Sequence, residues 1–68
     1  MKSESARLGK NIKQIRLAKA ISQGDIARSI GVGRGYISNI ESGKMNPTLS
    51  TISKLAKALK VSTGELLK

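Results

Sequence analysis

The 68-residue chain has no cysteine, histidine, tryptophan or phenylalanine, and each gap closes off a class of chemistry. Without cysteine, neither a disulfide framework nor a thiolate metal site is available. Without histidine, the commonest metal ligand and the usual general base are missing. On these grounds no metal and no cofactor is expected. Tyr36 is the single aromatic residue, so the stacking platforms of a single-strand or RNA binder are nearly absent. No apolar run approaches the length of a membrane span or an export signal, so the expected location is cytoplasmic with no membrane partner. Acidic residues are scarce too. Glu4, Asp25, Glu41 and Glu65 stand against thirteen lysines and arginines, for a formal charge of +9. On so small a chain that excess is the footprint of a polyanion binder. The alternative, on charge alone, is a lysine-decorated soluble surface.

What is present is aliphatic residues at helical spacing. Residues 1–5 are polar and read as a flexible tail, leaving 6–68 as one domain. Leu8, Ile12 and Ile15 recur at i, i+4, i+7, the stripe of a first amphipathic helix over 6–19. Ser22 and Asp25 form a capping box opening a second helix that stops at Gly31, with Ile26, Ala27 and Ile30 inward. A third helix spans 33–42, with Ile37 and Ile40 inward and Gly43 as a left-handed terminator. Thr48 caps a fourth over 49–59, whose stripe is Leu49, Ile52, Leu55, Ala56 and Leu59. Ser62 and Glu65 open a last short turn of helix. No strand pattern or repeat is present, so the expected class is all-α, with five short helices.

The stretch GVGRGYISNIESGK at 31–44 carries three glycines at alternate positions. A dinucleotide fingerprint would need glycine at 36 and a preceding strand; Tyr36 and a preceding helix are found instead. A GxxxxGK[ST] phosphate loop ending at Gly43-Lys44 would need glycine at 38 and Ser or Thr at 45, where Ser38 and Met45 stand. A helix-turn-helix fits better. Two helices crossing over a short turn need a small residue at their contact, Ala27, and a corner tolerant of positive φ, Gly31. Val32 and Ile37 then lock the second helix over the first.

The segment SQGDIARSIGVGRGYISNIESGKMNPTLSTISKLAKALKVSTGELL resembles the phage repressor/Cro-like helix-turn-helix (XRE) family over nearly the whole chain. The resemblance implies a compact five-helix, lambda-repressor-like DNA-binding domain. It also implies a third helix that enters the major groove of double-stranded DNA. On that helix Arg34 suits guanine O6 and N7, Asn39 suits adenine, and Ser38 is a third base reader. Gly35 occupies a position where relatives often carry a reader. Gln23, Ser42, Gly43 and Lys44 match the family's phosphate and backbone contacts, although Lys44 alone could equally be an ordinary surface lysine. Tyr36 is assigned to phosphate or a thymine methyl, with core packing as the rival reading. Arg16 and Glu41 match the family's internal ion pair. Two departures stand out: Ala20 replaces a glycine, and Gly33 replaces a Ser or Thr N-cap.

The functional expectation is a sequence-specific transcriptional regulator of repressor or controller type, reading a palindromic operator as a homodimer. With Glu41 in an ion pair and Asp25 and Glu65 in caps, no carboxylate pair remains for acid–base chemistry, which argues against an enzyme. The dimer patch is expected at Val61, Leu66 and Leu67 with the start of the fourth helix; the alternative is that these residues complete the core. A second class of function is an antitoxin or coactivator-like adaptor, whose partner would be a protein such as a toxin or RNA polymerase.

Overall fold

The computed structural model describes residues 4–68, and among them five helices follow in order: α1 (Glu4–Ala18), α2 (Gln23–Ile30), α3 (Arg34–Glu41), α4 (Leu49–Leu59) and α5 (Thr63–Leu67). The expected order and number of helices are observed. Expected boundaries shift by one or two residues. Glu4 and Ser5 belong to α1; the rest of the polar N-terminus, residues 1–3, lies outside the described residues. Gly33 and Ser42 are the caps of α3 rather than members of it.

Helix starts follow local side-chain chemistry. Ser22 Oγ accepts from the Asp25 N–H at 3.0 Å while the Ser22 N–H reaches the Asp25 carboxylate, so both arms of the box are made. Thr48 caps α4 by accepting from the Thr51 N–H at 3.2 Å. At α5 only one arm forms: Ser62 accepts from the Glu65 N–H at 3.3 Å, and the Glu65 carboxylate turns to Lys68 instead.

Four helices end in one way. The N–H groups of Ile21, Val32, Lys44 and Val61 donate back to the carbonyls of Arg16, Ala27, Asn39 and Ala56, five residues earlier in each case. This Schellman-type closure requires a left-handed residue just before the donor. Gly31 (φ 75°) and Gly43 (φ 81°) supply it without a side-chain penalty, whereas Ala20 (φ 57°) and Lys60 (φ 60°) carry a Cβ through the same region. Ala20, where relatives commonly carry glycine, thus keeps the glycine backbone; the left-handed turn at Lys60 has no glycine-like signature in the sequence.

Leu8, Ile12, Ile26, Ala27, Ile37, Ile40, Ile52, Leu55, Ala56, Leu59 and Leu66 form a single aliphatic core. Around it α3 packs on both α1 and α2, while α4 packs on α2 and α5, and α5 closes back on α1. Asn11 fastens that closure, its Nδ2 donating to the carbonyls of Leu66 at 3.0 Å and Lys68 at 3.1 Å. The α1–α3 crossing is set by Gly9. A Cβ there would overlap the Ile40 carbonyl oxygen and lie 2.6 Å from that of Glu41, so only glycine lets the two backbones approach. The expected α4 stripe needs one correction. Leu49 is 74% exposed, because it starts α4 at the end of the stripe, where the fold leaves it uncovered. Ile30 is only half-buried.

Candidate nucleic-acid interface

Rotation of about 100° per residue along α3 separates its faces. Ile37 and Ile40 face the core, and Tyr36 lies on the flank beside them, half-buried and packed against the core cluster. Gly35, Ser38 and Asn39 occupy the opposite, exposed side, with Arg34 exposed at its N-terminal edge. The structure therefore brings the three expected base readers onto one solvent-facing surface. It places Tyr36 differently, on the border between that surface and the core, so packing accounts for part of its side chain.

The helix is anchored from below by a buried polar network. Arg16 Nε donates to Glu41 Oε2 at 2.7 Å and its Nη2 to Glu41 Oε1 at 3.0 Å, a two-pronged pair joining α1 to the end of α3. Both side chains are nearly enclosed, at 8% and 4% exposure. Arg16 Nη1 also donates to the Ile21 carbonyl at 2.9 Å. The internal ion pair is thus where the resemblance put it. Gln23, the first residue of α2, joins the same carboxylate: its Nε2 donates to Glu41 Oε1 at 3.0 Å. Glu41 is the hub through which α1 and α2 fix the position of α3. Among the described residues no buried side-chain nitrogen or oxygen is left without a partner.

The C-terminal end of α3 differs from expectation in detail. Ser42 Oγ donates to the Asn39 carbonyl at 3.1 Å. The N–H groups of Ser42, Gly43 and Lys44 donate to the carbonyls of Ser38, Ile40 and Asn39. Those amides serve the helix end, and the cationic group offered at this corner is the exposed Lys44 side chain. At the other end, Gly33 caps α3 with no side-chain hydrogen bond.

Among the described residues the lysines are turned to solvent. Among the described residues, ion pairs join Glu41 to Arg16, Asp25 to Arg28 and Glu65 to Lys68. Lys10, Lys13, Lys19, Lys54, Lys57 and Lys60 are all exposed. Among the described residues, no cluster of acids could hold a metal ion, and no helix is long and apolar enough to cross a membrane.

The patch proposed for pairing divides. Leu66 is 0% exposed and belongs to the core, because α5 folds back onto α1 and α4, so it is withdrawn from any contact surface. Val61 is half-buried against the core. Leu67, at 45% exposure, and Leu49 remain outside and line one hollow together with Leu8, Pro47 and Ile52.

Sequence reading missed Gly9 and Asn11. An isolated glycine within a helical stripe was the available signal for the first, since such a glycine usually has a packing reason. Nothing local signalled the second. The resemblance implies that Gln23 buttresses the recognition helix, and Glu41 is the residue it holds.

Comparison with known proteins agrees with this architecture. A family model described as Helix-turn-helix matches residues 12–66. Control protein C.BamHI of Bacillus amyloliquefaciens is 43% identical over 60 residues, covering 87% of this chain and 74% of that protein. The restriction-modification controller protein C.AhdI of Aeromonas hydrophila superposes with a TM-score of 0.87 at 35% identity, over 91% of this chain and 94% of the other. The controller protein C.Esp1396I, solved as a tetramer in complex with its natural 35 base-pair operator, matches over 100% of both chains with a TM-score of 0.82 at 32% identity. Fold, turn chemistry and relatives converge: this chain belongs to the helix-turn-helix family that includes the restriction-modification controller proteins.

Proposed function

We propose that the protein is a sequence-specific transcriptional regulator that inserts α3 into the major groove of double-stranded operator DNA. The observation that carries this reading is the exposed face of α3, with Arg34, Ser38 and Asn39 turned outward on a helix locked by the buried Arg16–Glu41–Gln23 network. Arg34 reads guanine through its two-pronged guanidinium, Asn39 reads adenine and Ser38 adds a less selective contact. Tyr36, Lys44 and the second amide N–H of Gln23 lie along the sugar–phosphate track and set register rather than sequence, whereas the donors of Ser42 and Gly43 serve the end of α3. The formal charge of +9 supplies the sequence-independent part of the affinity.

Of the exposed large apolar side chains, Leu17, Leu49 and Leu67, the last two line one hollow and form the patch offered to a second copy of the chain. A homodimer built there presents two copies of α3 about 34 Å apart and reads a palindrome. In this reading the protein works in the cytoplasm, where the duplex is.

Selection of bound duplexes from a random-sequence library, followed by gel-shift titration of the enriched sequence, tests the proposal. The expected result is an inverted repeat whose affinity falls steeply with salt. Arg34→Ala should flatten the preference at one base pair per half-site, a loss of about 1–3 kcal/mol there. Enrichment of no sequence at all, or undiminished discrimination by Arg34→Ala, would defeat it.

A further inference from the structure

Most of the glycines have an account inside the fold. Gly31 and Gly43 hold left-handed corners, and Gly9 sits where two backbones meet. Gly24 and Gly64 occupy the same slot in two Ser-x-Gly-acid helix starts. Gly33 is an N-cap, a place where glycine does little worse than a polar residue. Gly35 has none of these reasons. It lies in the first turn of α3 in ordinary helical backbone, it is exposed, and a Cβ built on it would meet nothing within 4 Å.

Glycine at such a position only weakens the helix relative to alanine, since it loses more backbone freedom on ordering and packs against nothing. The position is also the middle of the outward face. Successive 100° steps set Gly35 opposite Ile37 and Ile40, with Arg34 and Ser38 to one side and Asn39 to the other. The centre of the reading surface is therefore a bare notch rimmed by the three polar side chains assigned to base contact. The fold gains nothing from it, so its use lies in what the surface meets.

We infer that Gly35 is a specificity-determining residue: its missing side chain lets the backbone of α3 seat close enough to the groove floor for Arg34 and Asn39 to reach base edges. The inference rests on the operator reading above. A single Cβ placed at this point holds the helix axis away from the bases, and Arg34 pays most, because a bidentate contact tolerates little displacement.

Gly35→Ala provides the test, and it dissociates fold from function. Wild-type protein is first used to enrich a duplex from a random-sequence library. Both proteins are then titrated with that duplex and with unselected random duplexes, and their thermal midpoints are compared. The expected outcome is a higher Tm for Gly35→Ala, about tenfold or greater loss on the selected duplex, and unchanged affinity for random duplexes. Equal or tighter binding to the selected duplex would overturn the inference, since a stiffer helix with room to spare should bind better. A lowered Tm would overturn it too, by revealing an internal role for the glycine, as would an equal loss on random duplexes. Enrichment of nothing by the wild type removes the operator reading and this inference with it. Enrichment with an unaffected variant removes the inference alone.

Discussion

Replacing Glu41 by glutamine keeps the shape of the hub and deletes its charge. Glu41 accepts from two guanidinium nitrogens of Arg16 and from Gln23, all at 2.7–3.0 Å, within a nearly enclosed site. An amide has one acceptor oxygen, so its NH2 group must face N–H donors, and the Arg16 cation is left buried without a counter-charge. Removing one partner of such a pair costs roughly 3–5 kcal/mol. A 68-residue domain has roughly 3–10 kcal/mol in total, so Glu41→Gln should remain folded only marginally at room temperature. Urea unfolding followed by circular dichroism measures the difference through the midpoint and slope. The compensated variant Arg16→Met/Glu41→Leu removes both charges and should recover most of the loss. It should still fall short by about 1–3 kcal/mol, because the Ile21 carbonyl loses its donor from Arg16 Nη1 and Gln23 Nε2 loses its acceptor. A Glu41→Gln cost below about 1 kcal/mol, or a double variant as unstable as the sum of its singles, would refute the reasoning.

Gly9→Ala should destabilise by about 3 kcal/mol or more in the same assay, because its Cβ collides with the rigid backbone of Ile40 and Glu41 rather than with a movable side chain. Ala20→Gly and Lys60→Gly should each raise stability by roughly 0.5–1 kcal/mol, the relief of a left-handed Cβ less the added freedom of the unfolded chain. Leu49→Lys and Leu67→Lys should lower sedimentation of any dimer to that of the monomer without changing Tm by more than a degree or two, as both side chains are outside the core. Lys44→Ala should weaken binding to all duplexes alike and reduce the slope of log affinity against log salt by about 1, the behaviour of a phosphate contact.

The helices and their ends were legible because their causes are local. Ser22 and Asp25 are three residues apart, and Thr48 needs only the amide of Thr51. Gly31 and Gly43 mark corners that few other residues enter cheaply. The outward position of Arg34, Ser38 and Asn39 followed from the inward one of Ile37 and Ile40, since a helix cannot bury all sides at once. Tyr36 was harder, as a flank residue belongs to both surfaces.

Short-range sequence thus determined five helices, four of their caps and which stripe of each seeks the interior. Tertiary structure alone decided where those stripes meet. That α1 touches α3 at Gly9, that Gln23 shares Glu41 with Arg16 across 18 and 25 residues of chain, and that Asn11 holds carbonyls 55 and 57 residues away depend on the mutual placement of whole helices. The same placement sent Leu66 inward and left Leu49 in water, although both carry the same side chain on an apolar stripe. Helical periodicity fixes the direction a residue faces around its own axis. Whether another element covers that direction is a property of the assembled fold, and no neighbouring residue records it.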